Sequence, residues 1–388
     1  MNTKKIKSIC VVPEGYPAEG DPFFPFVELL CKEFARQGIQ VTVICPQSIV
    51  HCLRRRLKPH PKERIDEVEG GIPIKVYQPY FFSIPYKYRY TNYWFFKRAA
   101  CRQFRKLNIK PDILYSHFWY PGFAINEMSK KRSIPLFVAT GESNLKLFEK
   151  DFSHKAFMEY TKNVKGVICV SSENLKESVR MGLTKEENCL VIPNAVDDSL
   201  FHKRDKNELR KKYGINEDDF IVCFVGAFIN RKGSNRLSDA IDKLNDSSIK
   251  SFFIGGSQGN SNLEPTCPGV LKKGKVNHDE LFEYLCMSDI FVLPTLHEGC
   301  CNAIVEALAC GLPVVSSDRS FNYDILNETN SIMIDPNSVD AIADAIKELK
   351  DNSEKRERLA AGALAIGKEL TITKRAEKII RFIEKRMI

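Results

Sequence analysis

Short apolar runs rich in β-formers alternate with amphipathic stretches along this chain from end to end, and they do so in two series. The first series holds the strand candidates "SICVVP" (8–13), "QVTVICP" (40–46), "DILYSH" (112–117), "PLFVAT" (135–140) and "GVICVSS" (166–172). The second holds "FIVCFVG" (220–226), "KSFFIGG" (250–256), "DIFVLPT" (289–295) and "PVVSSD" (313–318). Between the strands lie stretches with apolar residues at helical spacing, such as "PFVELLCKEFARQG" (25–38), "SNRLSDAIDKLND" (234–246), "HDELFEYLCMS" (278–288) and "AIADAIKELKDN" (341–352). Strands that alternate with helices imply parallel sheets covered on both faces, so the fold class is α/β. The rhythm breaks near 193–215, where the chain is polar, basic and short of strand signals. We place an interdomain crossing there, which divides the chain into 1–192 and 193–370. The remainder, 371–388, reads as one amphipathic helix.

Length agrees with two domains, because 388 residues exceed the size at which one core usually keeps growing. The chain is 43% apolar and 28% charged, enough to bury a core in each half. It has no run of about 18 apolar residues, so no membrane-spanning segment is expected. The start, "MNTKKIKSICVVPEG", reads as a first strand rather than a signal peptide. Thirteen cysteines are scattered, odd in number and never spaced Cys-x-x-Cys. That usage points to a reducing compartment, the cytoplasm. The net charge of +9 favours something anionic: nucleic acid, a membrane surface or a phosphorylated substrate.

Ligands of open parallel sheets bind beyond the carboxyl ends of the strands, which directs attention to four places. The first is "LHEGCCNAIVEALACGLPVV" (296–315), where a strand gives way to a loop and then a helix. Asn302 is expected to cap that helix and Gly311 to close it. Glu298 then lies in the loop and Glu306 a turn into the helix, whose amino end suits a phosphate. Glu306 is either a surface carboxylate or, among Ile304, Val305, Ala307 and Leu308, a buried one that needs a partner. Neither the adjacent His297 and Glu298 nor the vicinal Cys300 and Cys301 have ligand spacing, so no metal is expected. The second place is "FVGAFINRKGSNRL" (224–237), where Arg231 and Lys232 follow a strand that ends at Gly226. Two cations there suit a diphosphate; the plain alternative is a solvated turn. The third is His117, a structural histidine or a ligand-side one. The first loop, "PEGYPAEGDPFFPF" (13–26), also follows a strand, and its Gly15 and Gly20 can bring backbone close to a ligand. The Gly-x-Gly-x-x-Gly fingerprint is missing, which disfavours a nicotinamide enzyme. The fourth is the pair of basic stretches at 51–64 and 86–107, the second full of aromatics. A core helix with a basic outer face, an anionic membrane interface and nucleic-acid stacking all fit it, but no nucleic-acid motif accompanies the charge.

In order, these pieces resemble the retaining GT-B glycosyltransferases of family 4, the glycosyl transferases group 1. "FVGAFINRKG" (224–233) is similar to that family's Gly-Arg-x4-Lys-Gly loop. "FFIGG" (252–256), "LKKGKVNHDELFEYLCMSDIFVLPTLHEG" (271–299) and "CNAIVEALACGLPVVSSD" (301–318) continue the pattern in register. "GVICVSSENLKESVRMG" (166–182) and "VIPNAVDDSLF" (191–201) match the usual crossing segment. The likeness is fullest from about residue 110 onward. It implies two Rossmann-like domains facing a central cleft, an acceptor-binding 1–192 and a nucleotide-sugar-binding 193–370, with the last helix returning to the first domain.

The resemblance also implies roles. Arg231 and Lys232 would hold the donor diphosphate, Glu298 the hydroxyls of the donor sugar and Glu306 those of the ribose. Gly226, and backbone amides of Gly299, Cys300, Cys301 and Asn302, would complete the donor contacts, Gly20 would approach the phosphates, and His117 would lie beside the reacting sugar. The donor would be a UDP- or GDP-sugar, and the acceptor a glycan or a lipid-linked molecule, with peripheral contact at the inner face of the cytoplasmic membrane. No nucleic-acid partner, cofactor or metal is implied; the Asp-x-Asp motif of metal-dependent transferases is missing from the sequence. Two departures stand out: Ala227 replaces the family's arginine, and Cys300 its usual phenylalanine. A nucleotide-sugar 2-epimerase and a non-catalytic sugar- or lipid-binding relative share the implied fold and remain as alternatives.

Overall fold

A computed structural model describes residues 5–18, 24–55, 58–84, 89–142, 145, 152–257 and 263–387. The chain forms two compact units: Met1–Ile192 together with Arg375–Ile388, and Pro193–Lys374.

The first unit begins with β1 (Ser8–Pro13), α1 (Pro25–Arg36), β2 (Gln40–Ile44), the two-residue β3 (Gln47–Ser48) and α2 (Ile49–Arg55). It continues with β4 (Glu63–Asp66), β5 (Ile74–Tyr77), the short β6 (Tyr80–Phe81) and α3 (Arg89–Leu107). Then come β7 (Ile113–His117), α4 (Trp119–Arg132), β8 (Leu136–Thr140), α5 (His154–Thr161), β9 (Val164–Cys169), α6 (Ser172–Arg180) and β10 (Cys189–Val191). Eight strands form one sheet in the order β10-β9-β8-β7-β1-β2-β5-β4. Its pairs are parallel except β4 with β5. Every residue of β7 and β8 is buried, as expected of central strands covered on both faces.

The second unit runs through α7 (Lys206–Tyr213), β11 (Phe220–Val225), α8 (Ser234–Leu244), β12 (Ile249–Ile254), β13 (Val270–Gly274) and α9 (Leu281–Met287). It ends with β14 (Ile290–Leu293), α10 (Asn302–Ala309), β15 (Val314–Ser317), β16 (Ser331–Ile334), α11 (Val339–Asp351) and α12 (Ser353–Gly367). Its six strands are all parallel, in the order β13-β12-β11-β14-β15-β16. This is a Rossmann-like arrangement, as is the first sheet.

The last helix, α13 (Ile372–Arg386), packs on the first unit. The Ile6 amide donates to Glu384 at 3.1 Å and Arg386 Nη1 to the Asn188 side chain at 2.8 Å. A Cβ at Gly166 would lie 2.8 Å from the Phe382 ring, so the glycine in β9 lets this helix approach.

Several elements differ in detail from the sequence reading. The crossing region contains a helix, α7, which Asp205 caps through the Glu208 amide at 2.9 Å and Gly214 closes at φ 66°. The stretch 278–288 divides into a 3-10 turn, His278–Glu280, and α9. Strands β4, β5, β13 and β16 carry no clean apolar run. β13, for example, alternates half-buried and exposed residues at the sheet edge.

In each sheet the strand order reverses once where ligands commonly bind: between β1 and β7, and between β11 and β14. His117 ends β7 and pairs with Pro13 at the end of β1. Lys232 follows β11 and Glu298 follows β14.

Candidate active site

Two loops at the second switch point close on each other. The loop after β11 ends at Gly233, which precedes α8 at φ 79°. A Cβ there would fall 2.6 Å from the Pro294 carbonyl oxygen, so only glycine lets this loop meet the end of β14. The two loops are then tied directly. The Leu296 amide donates to Arg231 O at 2.8 Å, and the Thr295 hydroxyl lies 3.1 Å from that oxygen.

The closure brings Arg231, Lys232 and Glu298 together. Glu298 Oε1 receives Arg231 Nη1 at 2.6 Å, Lys232 Nζ at 2.7 Å and the Thr295 hydroxyl at 2.9 Å. Arg231 Nη1 also donates to His297 O at 2.7 Å. Lys232 is mostly buried and its Nζ lies 3.7 Å from Cys301 Sγ. Burial opposes its charge, but the Cys301 sulfur and the Glu298 carboxylate outweigh that, so its pKa is held above the ordinary lysine value. Gly226 sits where β11 ends, and a Cβ on it would be 3.4 Å from Lys232 Cδ.

Beneath this group lies Arg236, which the sequence reading did not single out. It is buried and donates to Pro336 O at 2.7 Å, Pro294 O at 2.8 Å, and both Asn230 O and Asn230 Oδ1 at 2.9 Å. One guanidinium thereby fixes the backbone of both loops. Burial lowers its pKa.

Glu306 is buried, 7% exposed, on α10. The partner its apolar surroundings call for is His278, whose Nε2 lies 3.0 Å from Glu306 Oε1. That hydrogen bond raises the His278 pKa. Nothing in the sequence marked His278, since it opens an ordinary-looking amphipathic stretch.

The start of α10 departs from expectation. Asn302 is its first helical residue, not its cap; the cap position is Cys301, whose carbonyl accepts from the Ile304 and Val305 amides at 3.1 and 3.2 Å. The Asn302 side chain is instead engaged by Asn194 of the crossing segment, which donates to Asn302 Oδ1 at 2.8 Å and to Cys300 O at 3.0 Å. The Asn194 amide also donates to Cys300 Sγ at 3.4 Å. Cys300 thus has a partner that phenylalanine could not offer. Gly311 follows the helix at φ 80°. Gly299 and Cys301 are buried and Cys300 half-buried, and among the described residues neither cysteine forms a disulfide. Burial raises the Cys301 thiol. Among the described residues no group of three or more His, Cys, Asp or Glu side chains is placed to hold a metal ion.

In the first unit, His117 is 6% exposed, and its Nδ1 is buried without a hydrogen-bond partner among the described residues. Burial, aided by the Arg375 charge, lowers its pKa to about 3. Phe118 follows at φ 83°, and α4 begins at Trp119. The Trp119 amide donates to Glu142 Oε1 at 2.7 Å; Glu142 Oε2 accepts from the Thr140 hydroxyl at 2.6 Å and the Gly141 amide at 2.9 Å. Glu142, whose pKa burial raises, therefore fixes the turn after His117, and sequence reading missed it. Gly20 lies outside the described residues.

The basic-aromatic stretch forms α3, with Tyr93, Phe96, Ala100 and Phe104 buried. Trp94 is 49% exposed, with the Arg98 guanidinium 5.5 Å from its ring centre, while Lys97 pairs with Glu127 at 2.9 Å. No helix among the described residues is long and apolar enough to cross a membrane.

Both halves of the chain match known protein families. The Glycosyltransferase Family 4 pattern matches residues 26–200, and the Glycosyl transferases group 1 pattern matches 205–364. The chain is 28% identical over 340 residues to the Bacillus subtilis protein named as the teichuronic acid biosynthesis glycosyltransferase TuaC, covering 85% of this chain and 84% of that one. It is 24% identical over 243 residues to the alpha-galactosylglucosyldiacylglycerol synthase of Streptococcus pneumoniae, covering 58% and 64%. The fold is similar to that of Anabaena HepE solved with UDP-glucose, at a TM-score of 0.70 and 16% identity over 97% of this chain and 99% of that one. It is also similar to sucrose-phosphate synthase from Thermosynechococcus elongatus, at a TM-score of 0.75 and 16% identity over 98% and 99%. With two family patterns in chain order and a Rossmann-like sheet under each, the chain belongs to the GT-B glycosyltransferases of family 4, enzymes that transfer a sugar from a nucleotide-diphosphate sugar.

Proposed function

We propose that the chain is a retaining, metal-independent transferase of surface polysaccharide or glycolipid synthesis, with a UDP- or GDP-sugar held by the second unit and the acceptor taken by the first. The observation that carries the donor reading is the single oxygen of Glu298 ringed by Arg231 and Lys232 at 2.6 and 2.7 Å, beside the start of α10. Departure of a nucleoside diphosphate develops negative charge, and fixed cations with aligned amides stabilise it where it forms. Each charge-assisted hydrogen bond is worth roughly 1.5–3 kcal/mol. Arg231 supplies the second charge that Ala227 does not.

In this reading Lys232 and Arg231 hold the diphosphate, and the amides of Gly299 to Asn302 face the same group. Glu298 accepts from the transferred sugar's hydroxyls, and Glu306 accepts from the ribose. His117, kept neutral by burial, offers a ring nitrogen to the reacting sugar. The acceptor attacks from the face the leaving phosphate departs, and that phosphate takes its proton, which preserves the anomeric configuration. Glu298 and Glu306 then serve different rings and are not a glycosidase pair, which needs two carboxyls flanking one bond.

The relatives named for teichuronic acid and for a diacylglycerol glycolipid support an acceptor at a membrane surface. Action at the cytoplasmic face, with α3 touching anionic lipid through Trp94 and Arg98, accords with them. A thermal-shift screen of UDP, GDP, ADP and their glucose, galactose and N-acetylhexosamine conjugates, with and without EDTA, tests the donor reading. Stabilisation by one nucleotide family, unchanged by EDTA and reduced in Lys232→Met, is expected. Stabilisation by none, or clean epimerisation of the donor with no acceptor present, overturns it.

A further inference from the structure

Two phenylalanine rings flank the buried histidine at the carboxyl end of β7, and a third packs on both of them. The Phe26 and Phe118 centroids lie 5.4 and 4.9 Å from that of His117, and Phe24 lies 5.5 Å from Phe26 and 5.7 Å from Phe118. All three phenylalanines are half-buried, whereas His117 is buried. Two of them sit on strained backbone: Phe24 has φ 63° just before α1, and Phe118 has φ 83° just before α4. Positive φ is costly for a bulky residue and persists mainly where its neighbours over-determine it, which is common at binding sites. Here the turn after β7 is fixed by the Glu142 carboxylate through the Trp119 amide.

The cluster is neither a finished core nor an ordinary surface. A core would not leave three rings half open, and a surface turn would not hold two of them at positive φ. It also contains an unsettled polar group, because His117 Nδ1 is buried with no hydrogen-bond partner among the described residues. A buried nitrogen without a hydrogen bond is expensive and calls for an explanation, and here it lies beside half-open rings at the carboxyl end of a strand, where a ligand can complete it.

We propose that Phe26, Phe118 and Phe24 form an acceptor-sugar subsite, in which a pyranose lays its C–H face on an aromatic ring and gives a hydroxyl to His117. This rests on the reading that the first unit takes the acceptor, and it names the part of the acceptor recognised there. The negative face of an aromatic ring suits the weakly positive C–H face of a sugar. A hydrocarbon tail would cover the rings equally well but would leave Nδ1 unpaired, so a sugar ring satisfies both halves of the cluster and a lipid chain only one. Nδ1 is shielded from solvent, so binding includes a turn of the Phe26 or Phe118 ring away from the imidazole.

The test uses the full chain with saturating UDP and, as probes, the methyl pyranosides of glucose, galactose, N-acetylglucosamine and glucuronate, with geranyl phosphate as the hydrocarbon probe. Saturation-transfer NMR and calorimetry read binding, and the histidine ring nitrogens read the pairing of His117. At least one pyranoside is expected to bind and to move the His117 Nδ1 signal. Phe26→Ala and Phe26→Leu are both expected to weaken that binding tenfold or more with UDP affinity unchanged, since leucine restores bulk but not a π face. Restoration by leucine, displacement of the pyranoside signal by geranyl phosphate alone, or no binding by any pyranoside overturns the proposal. Failure of UDP to bind the unaltered protein would count against the donor site instead, and the pyranoside measurements, repeated without nucleotide, still decide this one.

Discussion

At the scale of single residues, the proposed function divides the donor between the two glutamates. Glu306→Ala is expected to weaken nucleotide binding about tenfold, the loss of one hydrogen bond to a charged acceptor at roughly 1.4 kcal/mol per decade. Glu298→Ala is expected to spare binding more and cut kcat by about 10²-fold, as removal of a group that acts on the reacting sugar should. Calorimetry with UDP and GDP and steady-state kinetics separate the two; equal small effects of both on Kd and kcat would sink the assignment.

His278 and His117 make opposite predictions about pH. Glu306 raises the His278 pKa, so the charged histidine stabilises the fold. That contribution is complete below about 6.5, the unfolded histidine value, and fades as pH rises through the higher folded value. More than half of the His278 side chain is exposed, so the gain is about 0.5 kcal/mol or less. Urea midpoints at pH 5.5 and 8.5 should differ less in His278→Gln than in the unaltered protein. His117 behaves in reverse. Its folded value near 3 means that unfolding takes up a proton below about 6.5, so this residue costs stability as pH falls from there. A His117 ring-nitrogen titration midpoint above 5 would contradict its buried, neutral state.

At the scale of elements, Arg236 is the hinge pin of the donor loops. It spans the loop after β11, the end of β14 and the segment after β16 with four bonds. Arg236→Met leaves buried carbonyl oxygens unpaired and should cost about 3 kcal/mol, at 1–3 for each unsatisfied group. A change in unfolding free energy under about 1 kcal/mol would show that water or neighbours replace it. The sequence displayed Arg236 only as one more basic residue near Arg231 and Lys232. What distinguishes it is that its four acceptors come from three segments up to 100 residues away. The misread cap of α10 has the same origin. Local pattern favours Asn302 as a cap, but Asn194, 108 residues earlier, claims its side chain. Local chemistry cannot register a competitor that only folding brings near.

At the scale of the whole molecule, α3 turns Tyr93, Phe96, Ala100 and Phe104 inward and carries Trp94 and Arg98 outside. Replacement of Lys97, Arg98, Arg102 and Arg105 by alanine should reduce binding to phosphatidylserine-rich vesicles steeply, near 1 kcal/mol for each charge at the surface. Lys97 should count least, because Glu127 already holds it. Sedimentation with liposomes of neutral and anionic composition measures this, and unchanged binding removes the membrane contact from the proposal.

The sequence by itself determined the two mainly parallel sheets and the loops on which the proposed function rests. Strands buried on both faces read as near-continuous apolar runs, and β1, β11 and β14 are such runs. It also determined that Lys232 and Glu298 follow their strands and that His117 stands at the end of its own, since that is order along the chain. Only the tertiary structure decided which side chains meet: Arg231 and Lys232 on one oxygen of Glu298, His278 on Glu306, Glu142 under the turn after His117, and Phe26 against its ring. Each of those pairs joins segments far apart in sequence. Periodicity and spacing report what a residue's neighbours along the chain allow, whereas a partner across a sheet end exists only once both strands are in place.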